Sequence, residues 1–151
     1  MTTRRYLDGE PVAGAPGKQE WLDRLRADTA ACRVRRNVHV VRAPLSAYLR
    51  YQFEWCYVPN AAAGQEIRIL DVTEIPAAAA LHDVGDFTAI ESEYVARLCY
   101  SPDGEYQGAA TIGADAAAVF VALAKVAWTL ATPFDTWWAE HSQYHRPTVA
   151  A

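Results

Sequence analysis

The residues of this chain that can do chemistry fall into three groups. Glu54, His82, Asp86 and Glu91 are titratable and can move protons if their surroundings tune them. Arg42 and Arg50 flank Ser46, where an apolar run gives way to a helix pattern; a helix start plus two guanidiniums suits a carboxylate or phosphate. Tyr48, Tyr51, Trp55 and Tyr57 spread around more than one side of that helix. With Trp137 and Trp138 they offer rings for a pocket wall or a partner surface. Thr88 is a ligand-lining candidate beside them. The plainer arrangements of the same residues are a capped helix beside surface arginines, rings packed in a core and a solvated acidic loop.

Other chemistries find no pattern. His39, His82, His141 and His145 lack zinc-ligand spacing with one another or with Cys32, Cys56 and Cys99, so neither a metal nor any other cofactor is expected. No glycine-rich phosphate loop, serine elbow or Cys/His arrangement is present. The cysteines read as buried small hydrophobes in a reducing cytoplasm. A formal net charge of −4 disfavours autonomous nucleic-acid binding. The first residues do not resemble an export signal, and no apolar run approaches the ~20 residues of a membrane span.

The elements that must position these groups follow from periodicity. At 151 residues, 52% of them hydrophobic, the chain can bury a core without staples. Gly9, Pro11, Gly14, Pro16 and Gly17 mark residues 1–17 as a flexible segment, residues 18–142 as one domain and residues 143–151 as a frayed tail. Trp21, Leu22 and Leu25 recur at helical spacing. A Val-rich strand follows at about 36–42, then a helix from Ser46 to about Tyr57, with Leu45, Leu49, Phe53 and Cys56 on one face. Strands are expected at 66–72, 87–90 and 94–100. A turn at Ser101-Pro102-Asp103-Gly104 reverses the chain into 105–112. A core helix runs from Ala116 to Thr132, burying Phe120, Leu123 and Trp128, and Pro133 ends it before a last helical stretch to His141. The order is that of an α/β (or α+β) domain: one mixed sheet of four to five strands packed by three to four helices.

The run Arg42-Ala43-Pro44-Leu45-Ser46-Ala47-Tyr48-Leu49-Arg50-Tyr51, with Ala63-Gly64-Gln65-Glu66-Ile67-Arg68 downstream, resembles an uncharacterised actinobacterial domain family. Trp21, Asp86-Phe87 with Glu91, Gly104 and Gly108, Ala127-Trp128 and Pro133-Phe134 extend the likeness over most of residues 20–138. The resemblance implies a domain that accompanies helix-turn-helix regulators, distantly similar to half of a phospholipase D-like fold. The catalytic His-Lys-Asp motif of those enzymes is absent, since Val40 and Val41 follow His39. Thr88 and Ser92 stand where the family usually carries a large ring and an acid.

Two functions remain in view. One is a non-catalytic regulatory or interaction domain that binds a partner protein, a regulator or second copy included, or a small molecule. The other is a small cofactor-independent enzyme of specialised metabolism using Glu54, His82, Asp86 or Glu91.

Overall fold

The computed structural model describes residues 2–9, 17–91, 93–103 and 105–146. Its centre is a β-α-β unit. Strand β1 (Arg36–Val41) pairs in parallel with β2 (Glu66–Asp71), in a register that sets Val38 against Arg68 and Val41 against Asp71. Two residues of β6 (Thr132–Pro133) pair antiparallel to β2 and complete a mixed sheet of order β1-β2-β6. β3 (Phe87–Ile90), β4 (Tyr94–Tyr100) and β5 (Tyr106–Thr111) form a separate antiparallel sheet. The α/β class therefore holds, but as two three-stranded sheets and not one of four to five strands. β3 hydrogen-bonds only within its hairpin partners, so the alanine-rich connection through α5 (Ala79–His82) joins two sheets instead of two strands of one.

The crossover from β1 to β2 is one continuous helical segment with a widened middle. α3 (Ala47–Gln52) passes into a π-helical turn (Phe53–Tyr57) and on into α4 (Val58–Ala62). The helix thus outruns its expected end at Tyr57. Pro59 has no N–H to donate, and the wider turn before it absorbs the missing rung. That turn also changes which residues face the sheet. At 3.6 residues per turn Cys56 and Tyr57 would both lie beside Phe53; the wider turn favours Tyr57, which stacks on Phe53 with centroids 5.2 Å apart, and leaves Cys56 half-buried at the edge of the core. They join Val41, Leu45, Ile67, Ile69, Phe134 and Trp137 in the main core. A second cluster of Leu70, Val72, Ala78, Ala127 and Ala131 lies under α6 (Ala114–Leu130).

Four expectations are corrected. Residues 2–7, placed in the flexible segment, form α1 (Thr2–Leu7), whose Tyr6 is buried against Tyr51 and Trp55. In the expected tail, Ser142–Tyr144 makes a 3-10 turn and Arg146 reaches Glu54. Residues 10–16 of the expected loop, Ser92, Gly104 and residues 147–151 lie outside the described residues. α6 is only partly a core helix: Ala117 and Ala127 are buried, Phe120, Leu123 and Trp128 are half-buried, and Val119, Val126 and Leu130 face outward. The small alanines let α6 sit close to the sheets, so its larger side chains are left at the flanks. Cys32 and Cys99 are exposed and Cys56 half-buried, because Cys32 lies in the turn ending α2 (Lys18–Ala30), at φ 56, and Cys99 near the uncovered end of β4. Among the described residues no helix is long and apolar enough to cross a membrane.

Candidate functional site

Ser46 caps α3 as its spacing suggested: its Oγ accepts from the Leu49 N–H at 3.2 Å. Arg42 stands exposed just beyond β1. Arg50 is half-buried, with its Nε enclosed and unpaired among the described residues. The aromatic helix then divides its rings between two layers. Phe53 and Tyr57 face the sheet, while Tyr51 and Trp55 face α1, where Tyr6 meets both edge-on at 5.8 Å. Trp55 is only 5% exposed, its indole N–H has no acceptor among the described residues, and Trp137 is buried too. Neither is the exposed anchor that the sequence suggested. Trp138 is half-buried, stacked on Phe134. Tyr48 alone of the helix rings stands clear, at 57% exposure.

The four titratable candidates do not share one environment. Glu54 is engaged on both oxygens: Arg146 Nε donates to Oε1 at 2.8 Å and Tyr6 OH to Oε2 at 3.2 Å. Burial first, and then the Glu54 carboxylate, push the Tyr6 phenol up to about 12. Arg146 also lies over the Tyr6 ring at 4.7 Å. This is a cross-brace between the two ends of the chain. Glu91 sits exposed in the β3–β4 turn with φ 53. Thr88 is exposed on β3, opposite Ala96.

His82 and Asp86 do come together with other groups, at the edge of β1. His39, half-buried there, shares a hydrogen bond between its Nδ1 and the Tyr57 hydroxyl at 2.7 Å, and that hydroxyl accepts from Asn37 Nδ2 at 3.0 Å. Burial pushes the His39 imidazole below its ordinary value; nearby Asp86 opposes this and His82 adds to it. Burial likewise raises the Tyr57 phenol. Asp86 accepts from Tyr100 OH at 3.0 Å, and desolvation followed by this bond raises the Tyr100 phenol.

Tyr100 and Tyr106 are cross-strand partners with rings 5.9 Å apart, and Tyr48 lies close enough to influence the Tyr100 hydroxyl. Tyr48, Tyr100 and Tyr106 are exposed, at 57%, 47% and 60%, and of these Tyr100 bonds to Asp86. Ile90 and Tyr94, also exposed, lie on the same face of β3 and β4, as strand alternation requires. Tyr100 and Tyr106 were missed in the sequence. Their positions on either side of the Pro102 turn were the available signal.

A concave site lies elsewhere. A recess of about 230 Å³ is lined by Ala61, Gln65, Arg68, Trp128, Phe134 and Asp135, at the start of β2 and so at the opposite end of the sheet from Ser46. Arg68 Nη1 donates to the carbonyls of Trp128 (3.0 Å) and Ala131 (3.4 Å), closing the C-terminal end of α6. Its guanidinium lies 4.4 Å from the Trp128 ring centre, and Arg36 lies 5.0 Å from it. The volume falls below the roughly 300–1,000 Å³ usual for ligand pockets.

These features describe a small α/β domain with a braced aromatic interior and an exposed tyrosine face. The chain belongs to the family described as Domain of unknown function (DUF6879), whose model matches residues 1–139. Neither a curated protein nor a solved structure matches it.

Proposed function

We propose that this chain is a non-catalytic interaction domain that binds a partner protein through Tyr48, Tyr100 and Tyr106. The observation that carries this reading is the exposed pair Tyr100 and Tyr106 across the β4–β5 hairpin, with Tyr100 bonded to Asp86 and exposed Tyr48 of α3 near enough to act on the Tyr100 hydroxyl. Tyrosine gives a large contact area at small entropic cost and keeps a hydroxyl for hydrogen bonds, which favours it at protein interfaces. The small recess favours a protein over a small-molecule ligand. The resemblance to an actinobacterial family found beside helix-turn-helix regulators supports such a regulator, in the cytoplasm, as the partner; a second copy of the chain is the alternative occupant. Tyr106→Ala tests this in a pull-down against the adjacent regulator, with sedimentation of the chain alone to detect self-association. Loss of either association at an unchanged melting temperature supports the surface. Full retention of both removes it.

The acid–base reading keeps one specific support, the grouping of His39, Asp86 and His82 at the β1 edge. Against it, Asp86, His82 and Glu91 are exposed to water, and Glu54 is committed to Arg146 and Tyr6.

A further inference from the structure

We infer that Asp71, Glu74 and His141 form a site for one divalent transition-metal ion of the zinc class, tying the end of β2 to the end of α7 (Phe134–Glu140). One ligand atom from each residue lies within 4.8 Å of the other two. That is close to the span one ion bridges with bonds of about 2.0–2.2 Å.

Asp71 is the last residue of β2 and only 3% exposed. Its Oδ1 accepts from the Thr73 N–H at 2.8 Å. Among the described residues its Oδ2 accepts no hydrogen bond, and no arginine or lysine pairs with it. That oxygen is not sealed from water, so it is open to a positive partner. The turn after β2 brings Glu74 back over it, since the N–H groups of Glu74 and Ile75 donate to the Asp71 carbonyl at 3.1 and 3.0 Å.

His141 supplies the independent observation. Its Nδ1 lies 2.7 Å from the Trp137 carbonyl, which can only accept, so Nδ1 carries the hydrogen. The neutral ring then turns the Nε2 lone pair toward Glu74 Oε1, 3.2 Å away. Two lone pairs at that distance need a proton or a cation between them. A backbone carbonyl on the other ring nitrogen is how metal-bound histidines are commonly held in one tautomer. The Trp137 indole, stacked on the imidazole at 3.9 Å and 11°, fixes the plane of the ring. A proton on Nε2 would bond Glu74 and leave one positive charge among two carboxylates. A divalent ion answers both carboxylates and keeps a fourth position for water.

Equilibrium dialysis of the chelator-treated full chain against Zn²⁺ tests the site, with Glu74→Gln and His141→Gln as variants. Glu74 is exposed, so its substitution leaves the fold in place. The expected result is one equivalent bound by the natural chain, at least tenfold weaker binding in each variant, and a melting temperature that Zn²⁺ raises in the natural chain but not in Glu74→Gln. Absence of Zn²⁺ uptake would overturn the assignment. So would uptake that both variants retain, which would place the ion on exposed thiols such as Cys32 and Cys99.

Discussion

Phe53 and Tyr57 stack one π-helical turn apart, at 5.2 Å and 23°, and together they form the core face of the β1–β2 crossover. Phe53 also meets Phe134, Trp137 and Trp138 edge-on, so it ties the helix to α7. Phe53→Ala empties the centre of that cluster. It is expected to cost about 3–5 kcal/mol, read as a fall in the urea midpoint. A midpoint within experimental scatter of the natural chain would contradict this packing.

His39 gives the protein a pH signature. Its folded-state pKa lies below 6.5, so the unfolded chain takes up the proton first as pH falls. Stability therefore drops as pH is lowered from about 6.5 to the folded value, and levels off below it. In His39→Gln that part of the loss disappears. Urea midpoints at pH 7.5 and 5.5 should converge in the variant relative to the natural chain. Parallel pH dependence in both would show that His39 is not buried neutral.

Gly64 is held at φ 100 after α4, and a Cβ there would collide with the Thr29 side chain. Gly64→Ala combines left-handed strain with a clash against α2. A loss of about 1–3 kcal/mol is expected, and the double variant Gly64→Ala, Thr29→Ser should not recover it fully. An unchanged melting temperature would place α2 further from α4 than described.

Trp55 separates stability from binding. Because it is enclosed by Tyr6, Tyr51 and Arg146, Trp55→Ala is expected to lower stability by about 3–5 kcal/mol. Stability unaltered by this change, together with weaker partner association, would return Trp55 to the surface.

The elements were largely legible in the sequence, and their faces less so. The β1 and β2 runs, the Ser46 cap and the Pro102 turn carry local chemistry that reads directly. The π-helical turn did not, because a 3.6-residue template puts Cys56 and Tyr57 both beside Phe53 and cannot show that the wider turn favours Tyr57. Trp55 looked exposed because the residues that cover it, Tyr6 and Arg146, lie 49 and 91 positions away, in segments whose composition suggested no fixed structure. The separation into two sheets was hidden as well, since strand periodicity says nothing of which strands pair. Within the candidate site, Tyr48 and Asp86 were found from residue type, while Tyr100 and Tyr106 emerge only once the hairpin register is known.

The measurement that bears most directly on the interaction reading is calorimetric titration of the helix-turn-helix regulator proposed as the partner with the natural chain, Tyr106→Ala and the control Val34→Ala, which alters an exposed residue preceding β1. The account predicts at least tenfold weaker binding for Tyr106→Ala, about 1.4 kcal/mol or more, with Val34→Ala and all three melting temperatures unchanged. Binding by Tyr106→Ala as tight as that of the natural chain would contradict it.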